Sequence, residues 1–382
     1  MPRLIAFVCV VVFVDTMFYS AIVPLLPELS DRFDLSKTGA GVLAAAYAAG
    51  TLVGALPGGW LAARAGVRPT VLLGLGLLVA ASVAFAFAES VIVLDVARFA
   101  QGVGGAASWA GALGWLIEVA PRDRRGELIG TGLAAAIGGS LFGPVLGGAA
   151  EGIGHTTVFG AVAVIGGALI AWALRMPPPE QSGDSGLRAL LASLRDRRVA
   201  AGMWLTALPG VLFSTMAVLA ALRLDELGAG AAAIAAAFLV AAALEAVAAP
   251  LIGRLSDRRG RMLPSVLGVA GGGAAMLLLP WPQSAWLLGG LVILAAPAIG
   301  SLYTPAMAML SDGAESFGVA HGFAFALVNL AWAIGQTAGA AGSARLADLT
   351  GDRVPYLLLA GVCAVTLAAL AREYARRPAR AF

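Results

Sequence analysis

Charge is what this chain has least of. Only 12% of its 382 residues are Asp, Glu, Lys or Arg, against about 25% in an average soluble domain. Lys37 is the single lysine, and there are two histidines and two cysteines. His155 and His321 fall near opposite membrane faces, there is no HExxH, and no cysteine cluster exists, so a shared metal site is not expected. A Walker loop is also missing. Energy for any work the chain does must therefore come from an ion or solute gradient, and no cofactor or enzymatic activity is expected. Cys9 and Cys363 sit inside apolar runs and read as small core residues. The net charge of +3 rests on arginine and leaves no nucleic-acid footprint.

What is present is apolar surface. Hydrophobic residues make up 60% of the chain and the mean hydropathy is +0.89. Apolar runs fall at 4–26, 39–63, 69–88, 91–118, 127–150, 156–174, 200–222, 230–252, 262–280, 285–310, 318–344 and 355–371. Runs of about 20 residues suit helices that cross a bilayer, whereas a barrel would show alternating ten-residue segments. The first run is too long for a signal h-region and reads as a retained helix. The sequence thus predicts an all-α integral membrane protein with twelve spans. With the N-terminus inside, nineteen of the 25 basic residues fall on the cytoplasmic side, five fall outside, and Arg98 stays within the membrane. The positive-inside rule then places both termini in the cytoplasm, as in a multi-pass plasma-membrane protein.

The runs repeat. GWLAARAG at 59–66 aligns with GRLSDRRG at 253–260, and Gly143-Pro144-x-x-Gly147 is echoed by Gly335-Gln336-x-x-Gly339. This divides the chain into a six-helix bundle at 1–175, a linker with a short surface helix at 176–198, and a second bundle at 199–382. Two such bundles place a solute site near the midplane between them.

Charges inside the apolar runs are the leading functional candidates. Asp15 lies roughly 16 Å and Arg98 roughly 12 Å into their spans at 1.5 Å per residue, so both are near mid-depth. An ion pair or a shared cavity would reduce the cost of burying them. A carboxylate whose surroundings change can bind and release a proton, or act as counter-ion to a cationic solute. Glu245, among alanines of the eighth run, is a second proton site. Glu118 and Asp312 close their runs beside arginine-rich loops and read as gate residues.

Four motifs in order on the expected runs carry a family resemblance. Gly253-x-x-x-Asp257-Arg258-x-Gly260-Arg261 resembles the cytoplasmic loop signature of the major facilitator superfamily, with Arg64, Gly66 and Arg68 in its first-half copy and Ala63 replacing the usual Asp. Arg98-x-x-Gln101-Gly102 and Gly143-Pro144-x-x-Gly147 are similar to the proton-coupling and antiporter motifs of its twelve-helix drug:proton antiporters. Asp15 with Pro24 and Pro27, and the stretch 309–335, resemble the vesicular amine transporter branch, with Tyr47 and Asn329 in place of a lysine and an acid.

The resemblance implies two six-helix bundles that alternate access to a small-molecule site, in a monomer that takes protons as coupling ion. It implies proton coupling at Asp15, Arg98 and Glu245. It also implies a cavity lined by Asp15, Phe18, Tyr19, Tyr47, Trp109, Trp204, Tyr303, Asn329 and Trp332, whose aromatic faces suit lipophilic and cationic solutes. Gating falls to the loop motifs and to Gly143, Pro144 and Gly147. The alternatives are a carrier of a polar metabolite such as a sugar or amino acid, and a non-transporting membrane receptor or lipid-binding protein.

Overall fold

The computed structural model describes residues 1–119, 125–177, 196–315 and 321–376, all helix and short turns with no strand among them. The helices are α1 (Pro2–Ser20), α2 (Ile22–Phe33), α3 (Lys37–Ala65), α4 (Val67–Ala86), α5 (Val91–Val119), α6 (Arg125–Ile153) and α7 (His155–Leu174) in the first half. The second half has α8 (Arg197–Glu226), α9 (Ala231–Arg259), α10 (Met262–Leu278), α11 (Ala285–Gly300), α12 (Tyr303–Glu315), α13 (His321–Thr337), a π-helical turn (Ala338–Gly342), α14 (Ser343–Thr350) and α15 (Arg353–Arg376). Among the described residues, ten helical columns are long and apolar enough to cross a membrane; Met262–Leu278 is apolar but shorter. The expected surface helix of the linker lies outside the described residues.

Punctuation explains where the columns turn and break. α3 starts at Ser36, whose side chain accepts from the Gly39 N–H, and α11 starts at Ser284, which accepts from Leu287. Gly66 and Gly260, paired by the internal repeat, end α3 and α9 with φ of 94° and 76°, values that side chains with a Cβ avoid. Two expected spans are interrupted. The first breaks at Ala21, where Pro24 has no N–H to offer the Ser20 carbonyl four residues back. The tenth breaks at Ser301 and Leu302, after Pro297 and Gly300.

The halves pack alike. In the first, α1 lies on α6, α3 on α5 and α4 on α7; in the second, α8 lies on α13, α9 on α11 and α10 on α15. The antiporter-like glycines sit at the first of these contacts. A Cβ at Gly143 would lie 2.7 Å from the Met17 carbonyl, and one at Gly147 would lie 2.6 Å from the Pro24 ring. Gly335 and Gly339 press equally on Ala207 and Val211 of α8. These small residues let helix backbones meet at the bend of α1 and at its counterpart. Between the bundles, α2 meets α8, α3 meets α13 and α6 meets α9.

Candidate functional site

A cavity of about 350 Å³ lies between the two bundles. Asp15, Thr16, Tyr19 and Val23 line it from α1 and α2, Tyr47 and Thr51 from α3, and Trp109 from α5. The second bundle contributes Thr206, Phe213 and Ala217 from α8, Glu245 from α9, Tyr303 from α12, and Asn329, Trp332 and Gln336 from α13. Two carboxylates, one from each bundle, therefore face one largely apolar space.

Asp15 is 4% exposed. Its Oδ2 accepts the Tyr47 hydroxyl at 2.7 Å and the Trp109 indole N–H at 2.8 Å. Its Oδ1 is buried without a partner. Charge-assisted bonds of this kind are about twice as strong as neutral ones and fix the carboxylate's orientation. Gly105 makes room for the group, since a Cβ there would lie 2.7 Å from Oδ1.

Arg98 is 2% exposed and stands outside the cavity lining. It is not the direct partner of Asp15. Its guanidinium donates to the Phe18 carbonyl, the Tyr19 carbonyl and Gln101 Oε1 at 3.2, 3.2 and 3.1 Å. Those two carbonyls end α1, where a cation meets the negative end of the helix dipole. The same guanidinium lies 5.1 Å from the centroid of the Tyr47 ring. Tyr47 thus stands between acid and base, bonding the first and facing the second. A chain of contacts runs from Asp15 through Tyr47 and Arg98 to the bend at Ala21.

Aromatic rings close the cavity. Tyr19 is 5.1 Å from Tyr47 and 5.1 Å from Trp332 of the other bundle, and Phe213 stacks on Tyr303 at 6.3 Å. Two expected lining residues are elsewhere. Phe18 is buried against Phe159 at 5.3 Å, turned into the first bundle. Trp204 is 47% exposed on the outside and donates to Thr366. The cavity stripe on α8 is Thr206, Phe213 and Ala217, and Trp204, two residues before Thr206, points about 200° away at 100° per residue.

This geometry separates the two tryptophans by experiment. Trp109→Phe is expected to weaken binding of a lipophilic cation such as tetraphenylphosphonium roughly tenfold, because the carboxylate loses one of its two fixed donors. Trp204→Phe should leave it within about twofold. Equilibrium dialysis with the radiolabelled cation on purified protein reads both.

The gate candidates are more scattered. Arg64 stacks on Trp60 at 5.3 Å, and Arg68 donates to the Leu174 carbonyl within its own bundle. Glu118 is half-buried at the end of α5, a Cβ at Gly253 would lie 3.8 Å from the Thr304 methyl, and Arg258 is exposed. Pro144 lines the cavity. Arg261 is half-buried at the start of α10, and the Asp257 and Asp312 side chains lie outside the described residues.

Sequence reasoning missed Phe213, Phe238, Thr51 and Gly105. Helical spacing on α8 was the signal available for Phe213, which lies seven residues after Thr206 and four before Ala217 on the stripe. Among the described residues no group of His, Cys, Asp and Glu could hold a metal.

The sequence pattern of the Major Facilitator Superfamily matches residues 8–335. A chloramphenicol resistance protein of Streptomyces lividans is 33% identical over 278 residues, 69% of this chain and 67% of that one. The human synaptic vesicular amine transporter is 27% identical over 307 residues, 74% of this chain and 57% of that one. The MFS-type transporter ppzB of Metarhizium rileyi is 35% identical over 159 residues, 40% of this chain and 33% of that one. The chain thus spans a third to somewhat over half of the length of these last two relatives. Among solved structures, a POT family transporter in complex with 5-aminolevulinic acid superposes with a TM-score of 0.76 at 14% identity, over 96% of this chain and 95% of the other.

Proposed function

The chain belongs to the Major Facilitator Superfamily, and from that premise we propose that it exports a lipophilic small molecule, cationic ones included, in exchange for protons. It is a multi-pass membrane transporter of a small molecule, not an enzyme. The observation that carries the finer reading is Asp15, a carboxylate held by Tyr47 and Trp109 with one oxygen unpartnered at a cavity walled by aromatic rings.

A buried carboxylate of this kind serves a proton and a cation by turns. Protonated, it is neutral and suits an apolar, empty cavity. Ionised, it attracts a cation, whose apolar body is met by Tyr19, Tyr47, Trp109, Tyr303 and Trp332. Glu245 faces the same space from the second bundle and is a second site for a proton. The cycle we propose keeps both termini in the cytoplasm of a cell's plasma membrane. Substrate entering from the cytoplasm displaces the proton, the bundles rock about the cavity, and a proton from outside displaces the substrate. Protons are the coupling ion, no cofactor is required, and the working unit is the monomer. The resistance protein and the amine transporter among the relatives support a drug-like or amine-like substrate.

The test uses proteoliposomes with an acid interior and a fluorescent lipophilic cation, ethidium, outside. Accumulation that a protonophore abolishes is the expected result. Flux that ignores the proton gradient, or no flux of lipophilic cations at all, would overturn the assignment.

A further inference from the structure

Lys37, the chain's single lysine, begins α3 in the first bundle, yet both acids it holds belong to the second. Its Nζ lies 2.7 Å from each oxygen of Asp352, in the turn between α14 and α15, and 3.2 Å from Glu226 Oε1 at the end of α8. Arg223, one turn back on α8, holds the other oxygen of Glu226 at 2.8 Å.

The first turn of α3 is fastened a second way. Asp348 of α14 accepts from the Thr38 backbone N–H at 2.7 Å and from the Thr38 hydroxyl. The positive end of α3 is thus given a carboxylate from the opposite bundle, a favourable placement. Burial alone would raise the Asp348 pKa, but the donors of Thr38, with Ser36 and the Lys37 N–H, outweigh it and hold the carboxyl below its usual range. One turn farther along α3, Gly41 lies flat on the second bundle. A Cβ there would lie 2.6 Å from the Ala340 carbonyl in the π-helical turn and would collide with the Ala344 methyl.

We infer that these contacts form a gate, a bolt between the bundles at the face away from the termini, which must release before the cavity opens to that side. In the orientation proposed above this is the outer face. Apart from Arg223–Glu226 within α8, each of the pairs crosses from one bundle to the other, and the crossing contacts gather within the first two turns of α3. An isolated exposed salt bridge contributes little. Here the lysine is only 28% exposed, two acids share it, and a capped helix start and a backbone-to-backbone contact reinforce it. Lys37, Glu226, Asp348 and Asp352 are all absent from the cavity lining, so gate and cavity can be varied independently.

Spin labels at Ser90 and Gln283, exposed turns of the two bundles on this face, read the gate directly. Cys9 and Cys363 are replaced first, and the distance distribution is measured by pulsed electron resonance in nanodiscs. Neither a substrate nor a proton gradient is needed, so the result does not depend on the proposed cargo. Lys37→Ala is expected to raise a minor long-distance population roughly tenfold, and Gly41→Val, which wedges the crossing apart, should do the same. Lys37→Arg, and the exchange Lys37→Glu with Asp352→Lys, should keep the short distance. A distribution that does not move in Lys37→Ala overturns the gate. So does one that moves equally in the charge exchange, because the pair would then have no specific role. If Gly41→Val fails to fold, the lysine series still decides the matter.

Discussion

Asp15→Asn is expected to abolish proton release driven by tetraphenylphosphonium in proteoliposomes while leaving the protein folded. The side chains are nearly isosteric, and the Asn carbonyl can still accept from Tyr47 and Trp109, so the bonds at 2.7 and 2.8 Å have a substitute acceptor. What disappears is the charge and the exchangeable proton. Two unit charges 4 Å apart attract by about 4 kcal/mol at an effective dielectric of 20, which sets an upper limit of roughly a thousandfold loss in cation affinity. The thermal midpoint should hold or rise, since a neutral amide costs less than a carboxylate at mid-membrane. A neutral solute of similar shape should bind the variant as well as it binds the native protein. Coupling that survives in Asp15→Asn but disappears in Glu245→Gln would transfer the proton to the second bundle. Coupling that survives in both would sink the antiport reading.

The contrast between Asp15 and Trp204 shows what could be read from one dimension and what could not. A carboxylate in an apolar run is costly wherever it faces, so Asp15, Arg98 and Glu245 stood out before any fold was known. Apolar length likewise marked the spans, but it made the first one continuous and did not show the break at Ala21. An aromatic residue costs nothing against lipid, so Trp204 and Phe18 needed a direction as well as a depth. Periodicity against Thr206 and Phe213 supplies that direction on α8, but only after the stripe is known. The gate was harder still. Lys37 and Asp352 are 315 residues apart, each an ordinary charge at the end of an apolar run, and only packing of one bundle on the other makes them partners. The same holds for Tyr47, which read as a cavity aromatic and proved to be the group between acid and base.

Arg98 carries the second large expectation. Arg98→Ala should destabilise the protein by about 3–5 kcal/mol, at the upper end of single-substitution effects. Truncation leaves the carbonyls of Phe18 and Tyr19 and the Gln101 oxygen without their donor, each worth about 1–3 kcal/mol when buried, and it opens a void where the side chain was 2% exposed. Loss of the buried guanidinium's own desolvation cost offsets part of this. Arg98→Lys separates charge from shape. An ammonium keeps the charge but lacks the planar fork that reaches both carbonyls and the glutamine at once, so stability should recover in part while transport does not. Thermal unfolding followed by tryptophan fluorescence, beside flux in proteoliposomes, reads the two effects separately. The double variant Asp15→Asn with Arg98→Ala then decides between a counter-ion and a clasp. A direct ion pair would leave the double variant more stable than the sum of the two single effects. With Tyr47 interposed, the two effects on stability should add within about 0.5 kcal/mol. Additive effects would place the work of Arg98 at the bend of the first span, so that changes at Asp15 reach the helix through the tyrosine.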